Sequence, residues 1–170
     1  ATDLVGAAAV TVDGRPMPLA VALERHFEIC GATPRFIAHW AALSGAAALK
    51  ALAEDADAAA RVGWLRAHHV IDIVRDFPVA GLDAQSFVAG LRRLQPRLYS
   101  IASSAAVQHG DAHLTITTVR YALNGSERRG VVSGGLGALA EGATLPVYVR
   151  PTPHFRLPGD DVPIIMIGAG

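Results

Sequence analysis

The sequence predicts an α+β protein in which helices come first and antiparallel strands follow. Three observations carry that reading. Up to Pro96, apolar residues recur at helical spacing in a background rich in alanine and leucine. Beyond Pro96 the period becomes two, in LYSIASS, AHLTITTVRYAL, LPVYVR and VPIIMIG. Hydrophobic residues make up 51% of the 170 and charged residues 18%, enough for a core and too little charge for a disordered chain.

PLAVALERHFEI, residues 18–29, opens on a proline suited to a first helical turn and sets Leu19, Leu23 and Phe27 on one face. Thr33 before Pro34 is an N-cap for a second helix running through Trp40. Residues 46–61 are helical by alanine propensity. HVIDIVRDFP places Val70, Ile73, Val74 and Phe77 on a face and stops at Pro78, and Asp83 caps DAQSFVAGLRRL. About five helices therefore precede Pro96.

In the second half, Leu114, Ile116 and Thr118 alternate with Thr115, Thr117 and Val119, and Asn124-Gly125 marks a tight turn. No internal repeat is visible. VPIIMIGAG reads as a buried-type strand running into glycines, the usual approach to a phosphate-holding helix. It marks either a domain boundary or a tail.

Fifteen basic residues balance fifteen acidic ones, which excludes a global field recruiting nucleic acid or anionic lipid. The lone Cys30 excludes an internal disulfide and suits a reducing, cytoplasmic setting. Neither a targeting segment nor a bilayer-length apolar run is present in the sequence.

The stretch that asks for a function is RLYSIASS, residues 97–104. A solvated strand face is one reading of it. The other is a ligand site: a flat aromatic beside a cation and hydroxyls suits a planar, phosphorylated ligand. The ring of Tyr99 can stack, and Arg97 can make forked bonds to phosphate.

PRLYSIASS also resembles the FAD-binding signature of the diflavin reductases, with R-x-Y-S at its centre. HLTITTVRY resembles the family's flavin-lining strand, RRGVVSGGL its pyrophosphate loop, and HFRLP with VPIIMIGAG the lead-in to its NADPH-binding domain. PLAVALERHFEICGATPRFI and HHVIDIVRDFP resemble its helical connecting domain. The resemblance runs over essentially the whole chain and points to the sulfite and nitrate reductase branch.

That resemblance implies a helical connecting subdomain over 1–95 and, over 96–160, part of the antiparallel β-barrel of a ferredoxin-reductase-type FAD-binding domain. It implies the first strand and glycine turn of a truncated NADPH-binding domain over 161–170. Arg97 would pair with the FAD pyrophosphate, Leu98 would lie in the binding strand, and Tyr99 would stack on the isoalloxazine. Ser100, the implied catalytic residue, would point toward flavin N5. Thr115, Ile116 and Thr117 would line the cofactor and Tyr121 would lie beside it. Gly130, Val131, Val132 and Ser133 would wrap the diphosphate, with a helix following Ser133, and Thr33 would reach the cofactor from the connecting domain. Gly168 and Gly170 would open the NADPH pyrophosphate motif. NADPH would be the electron donor. An FMN flavodoxin-like domain and a haem or iron–sulfur reductase would be the partners. The rival reading is a non-catalytic helical spacer or docking module that does not retain FAD alone.

Other motifs weigh less. VVSGG lacks the first glycine of a nucleophile elbow, because Val131 stands there. GLGALA lacks an acidic ribose partner and reads as loop. His68 and His69 point about 100° apart on a helix, which disfavours shared chelation of a metal. Trp40 and Trp64 read as packing, while Arg92-Arg93 and Arg128-Arg129 read as solvated basic faces, the first pair on a helix.

Overall fold

The computed structural model describes residues 6–154 and 156–167. Its first element is a hairpin, β1 (Ala9–Val12) against β2 (Arg15–Pro18), with Ala9 opposite Pro18 and Val12 opposite Arg15. Asp13 and Gly14 turn it with φ of 51° and 75°, the left-handed pair that a two-residue hairpin turn requires. Val10 and Val12 alternate into the core. The sequence reading of the first half as helix alone misses this hairpin.

Helix α1 (Leu19–Arg25) follows Pro18 and is shorter than expected, because the chain turns extended in β3 (Phe27–Glu28). β3 pairs antiparallel with β4 (Arg92–Arg93), and the Leu94 N–H extends the pairing by donating to His26 O at 2.8 Å. Between them lie five helices. Helix α2 (Pro34–Ser44) is capped as expected, the Thr33 hydroxyl accepting from the Phe36 N–H at 3.1 Å. Gly45 ends it with φ of 67°.

The single helix expected over 46–61 is two, α3 (Ala47–Glu54) and α4 (Ala58–Arg66). Asp57 divides them by accepting from the N–H groups of Ala59 and Ala60, which starts a new helix in place of continuing the old one. α5 (Val70–Asp76) stops before Pro78, and α6 (Ala84–Ala89) starts where Asp83 accepts from the Ser86 N–H. Arg92 and Arg93 are therefore on a strand, not on the end of α6. Gly90, at the end of α6, lets His39 approach closely: a Cβ there would come 2.4 Å from the His39 ring.

These elements close on Trp40, which has no exposed surface. Its ring stacks on Phe36 at 5.6 Å, meets Phe87 edge-on at 5.9 Å, and its indole N–H donates to Phe77 O at 2.8 Å. Trp64 sits at the margin of that core, stacked on His68. Among the described residues, every buried hydrophobic side chain lies between Val10 and Leu91.

Beyond Pro96 the strands are fewer than the alternation suggests. Residues 97–104 hold only an isolated bridge, Ile101 to Leu114, and 115–119 join no ladder. The regular piece is the hairpin β5 (Arg120–Leu123) and β6 (Ser126–Arg129), turned at Asn124-Gly125 as expected, with φ of 49° and 70°. Helix α7 (Val131–Leu136) follows. The three two-stranded sheets are the only ones among the described residues, and they close no barrel. Together with the helices they make a mixed α+β fold.

The contacts divide the chain into Ala1–Ala138 and Leu139–Gly170. The second unit contains no helix or strand among its described residues, so LPVYVR and residues 162–167 are not strands there. Val147, Val149, Ile165 and Met166 are exposed. A strand is stable only when a neighbouring strand takes up its N–H and C=O groups, and among the described residues no ladder does so here.

Candidate cofactor-binding site

Arg97 leaves β4 through Pro96 and is held at two points. One terminal nitrogen donates to Glu28 Oε2 at 3.1 Å and the other to Gln95 O at 2.9 Å. Glu28, on β3, is only 3% exposed, and its second oxygen accepts from the Cys30 N–H at 3.0 Å. Leu98, Ser100 and Ile101 are exposed, and Tyr99 is half-buried. The stretch is kept extended by a short pairing: the Ala102 N–H donates to His113 O at 2.8 Å, and the His113 N–H to Ser103 Oγ at 2.9 Å.

A second cluster joins the β5–β6 hairpin to α5. Tyr121, opposite Arg128 in the register, is hydrogen-bonded through its hydroxyl to His69 Nε2 at 2.8 Å. Arg128 donates to Asp72 Oδ1 at 2.8 Å, and Asp72 Oδ2 accepts from the His69 N–H at 2.8 Å. Asn124 adds a bond from its side-chain amide to Ala67 O at 3.1 Å. Burial, then the Arg128 charge, lowers the His69 pKa, while burial raises that of Tyr121. The pair is thus a neutral imidazole and a protonated phenol at neutral pH. Arg128 is not a solvated cation as the sequence suggested; Arg129 is exposed and pairs with Glu127.

The third part is the loop before α7. The Gly130 N–H donates to Val119 O at 2.9 Å, and the buried Ser133 hydroxyl accepts from the Val119 N–H at 3.2 Å. A Cβ on Gly130 would stand 2.5 Å from Ser133 Oγ and 3.1 Å from the Val119 Cβ, so any larger residue would have to displace the Ser133 hydroxyl. The helix expected after Ser133 starts at Val131 instead and runs through Gly134 and Gly135. The Val131 and Val132 N–H groups in its first turn have no acceptor within the helix.

Of the remaining residues marked by sequence, Thr115 and Thr117 are exposed and Ile116 half-buried, all in the run that leads into β5. Thr33 is at the start of α2, and among the described residues no hydrogen bond joins it to the others. Gly168 and Gly170 lie outside the described residues. The structure thus links 101–103 with 113–114, and 119 with 130–133.

Sequence reasoning missed Glu28, His69, Asp72 and Arg128, which fasten this segment to the helical region. One signal was present: His69 and Asp72 are three apart before an apolar run, the spacing of a capping box. A cavity of about 510 Å³ borders that fastening at His69 and Arg128 and is otherwise lined by Leu19, Leu23, Val70, Val74 and Phe87, with Cys30 at its wall. It contains none of the sequence-marked residues. Burial, then the Glu28 charge, raises the pKa of the Cys30 thiol and makes it a poor nucleophile.

The FAD binding domain family matches residues 10–134 of this chain. The chain belongs to that family. It is 42% identical over 163 residues to the sulfite reductase [NADPH] flavoprotein alpha-component of Sodalis glossinidius, covering 95% of this chain and 26% of that protein. It is 40% identical over 169 residues to the component of the same name from Vibrio cholerae, covering 98% and 27%, and 40% identical over 159 residues to that of Bacillus subtilis, covering 92% and 26%. The chain spans about a quarter of the length of the curated relatives it matches.

Proposed function

We propose that this chain is the FAD-holding part of an NADPH-dependent diflavin oxidoreductase of the sulfite or nitrate reductase type. Hydride would come from NADPH, and electrons would leave through an FMN flavodoxin-like domain to a haem or iron–sulfur partner in the cytoplasm. Residues 1–95 would be the connecting subdomain, 96–160 part of the FAD barrel, and 161–170 the start of the NADPH-binding domain. The observation that carries the reading is Arg97: a partly exposed guanidinium in R-x-Y-S, inside the family match, that keeps N–H donors beyond the two it spends on Glu28 and Gln95.

The donor set suits a flavin dinucleotide. Arg97 would hold the diphosphate by a forked, charge-assisted contact. The Val131 and Val132 N–H groups, approached closely because residue 130 is glycine, would add neutral donors. The Ser133 hydroxyl already accepts from Val119 and retains its own proton to donate. Tyr99 would lie against the ring system, while Leu98, Ile116 and the backbone of Thr115 and Thr117 would shut water from it. Tyr121 is fixed by His69 and would flank the cofactor. Thr33 would contribute from the start of α2, and Gly168 and Gly170 would serve NADPH. FAD, when bound, supplies the redox chemistry. Ser100 is the exposed hydroxyl that would donate to flavin N5. Among the described residues no helix is long and apolar enough to cross a membrane.

The test is FAD titration of a full-length flavoprotein carrying this chain. Arg97→Ala and Tyr99→Ala are expected to weaken binding, and Tyr99→Phe to change it little. Ser100→Ala is expected to keep FAD but slow its reduction by NADPH by about ten- to a thousandfold. Equal titration curves for wild type, Arg97→Ala and Tyr99→Ala would remove the reading.

A further inference from the structure

We infer that Glu28 is a positioning residue for Arg97: a buried carboxylate on β3 that aims the guanidinium at the cofactor diphosphate. The inference rests on the flavin reading above.

A carboxylate with 3% exposure is costly unless it is paired and hydrogen-bonded. Glu28 is both. The Cys30 N–H fixes one oxygen, which locks the rotation of the carboxylate, and the other oxygen faces Arg97 at 3.1 Å. The β3–β4 ladder sets the reach, with Glu28 directly across from Arg92 and the chain returning through Pro96 to Arg97. The Arg92 guanidinium approaches Glu28 only to 3.9 Å, beyond a hydrogen bond. Two guanidiniums therefore share one carboxylate, which leaves the spot with net positive charge, and only Arg97 is oriented by it.

The side-chain pair lies 69 positions apart in sequence, so the helical region reaches Arg97 through this acid. A flexible arginine loses rotamer freedom when it clamps a phosphate. Holding the guanidinium beforehand through one N–H on each terminal nitrogen removes part of that cost and leaves three N–H donors for the ligand.

Charge and orientation predict opposite signs for Glu28→Gln. The substitution raises the local positive charge by one, so a mere counter-charge predicts tighter binding of an anionic cofactor. Loss of the anchored guanidinium predicts weaker binding. A hydrogen bond to a charged group is worth more than the gain from one partly screened charge, so weakening is expected, by about tenfold in Kd.

The experiment is FAD titration of a full-length flavoprotein carrying this chain, with folding of each variant checked by circular dichroism. Four results support the inference: Glu28→Gln weakens FAD about tenfold, that loss vanishes in the Arg97→Ala background, Glu28→Asp recovers part of it, and Arg92→Ala stays within about twofold of wild type. Unchanged or tighter binding in Glu28→Gln overturns the inference alone, as does an equal loss in both Arg97 backgrounds. If Glu28→Gln does not fold, Glu28→Asp decides: binding equal to wild type overturns the inference, and a loss confined to the Arg97 background supports it. A wild type that takes up no FAD overturns the flavin reading, and this inference with it.

Discussion

Residues 8–94 and residues 97–138 are held in place by different forces. The first region closes on a continuous apolar core around Trp40, Phe36, Ile37 and Ile73. The second buries only Ser133, and it exposes Leu98, Ile101, Leu114, Val119 and Val131. What fastens it is polar: Arg97 to Glu28, Tyr121 to His69, Arg128 to Asp72 and Asn124 to Ala67. Apolar burial is non-directional and stabilises in proportion to area, whereas a few buried hydrogen bonds fix orientation. The helical region therefore supplies stability, and the segment beyond it presents a surface at fixed angles. A cofactor site needs that division, because its contact surface must stay uncovered until the ligand arrives.

Breaking the first region should have the largest effect. Trp40→Ala removes a fully buried ring with two aromatic neighbours and leaves a cavity, and a loss of about 3–5 kcal/mol is expected in chemical denaturation. A loss below about 1 kcal/mol would mean the core lies elsewhere. At the seam, Arg128→Ala strands the buried Asp72 carboxylate. About 2–3 kcal/mol is expected, against almost nothing for the exposed Arg129→Ala. Equal effects for the two arginines would show that the seam is not where the regions are joined.

Smaller effects sharpen the comparison. Thr33→Ala deletes the α2 cap and should cost about 1 kcal/mol without altering the hairpin region. If it weakens FAD by far more than it lowers stability, Thr33 belongs to the cofactor site as well as to the helix. The smallest effect is a pH dependence. The folded His69 pKa lies below its ordinary value near 6.5, so the unfolded chain binds the proton more readily. Its contribution is complete above about pH 6.5 and is lost as pH falls through the lower folded value. Stability measured from pH 8 to 5 should show this slope, and His69→Gln should flatten it. An unchanged slope in that variant would assign the effect to other groups.

Most helices were legible because their start signals are local: Thr33 and Asp83 announce α2 and α6 from a few residues. The β1–β2 hairpin was missed although Asp13-Gly14 directly follows the alternating Val10 and Val12, because helical periodicity downstream drew it into the helical half. The strands beyond Pro96 were over-read, because alternation records what a segment is ready to pair with, not whether a partner is present. For the candidate site, the motif points to Arg97, Tyr99 and the glycine loop. Glu28 and Asp72 stayed hidden, since nothing local separates a buried acid with a distant arginine from a solvated one.

Where the aromatic residues fall has a practical side. Both tryptophans, Trp40 and Trp64, belong to the helical region, and all three tyrosines, Tyr99, Tyr121 and Tyr148, come after it. Trp40 is sealed between Phe36 and Phe87, while Trp64 is stacked on the His68 imidazole at 3.8 Å. Indole emission from this chain is consequently a report on one region, and phenol absorbance a report on the rest. A Tyr148→Phe sample, whose phenols both lie in 97–138, melted under both detectors yields two curves, and the gap between their midpoints measures how far the polar fastenings make the two regions unfold as one.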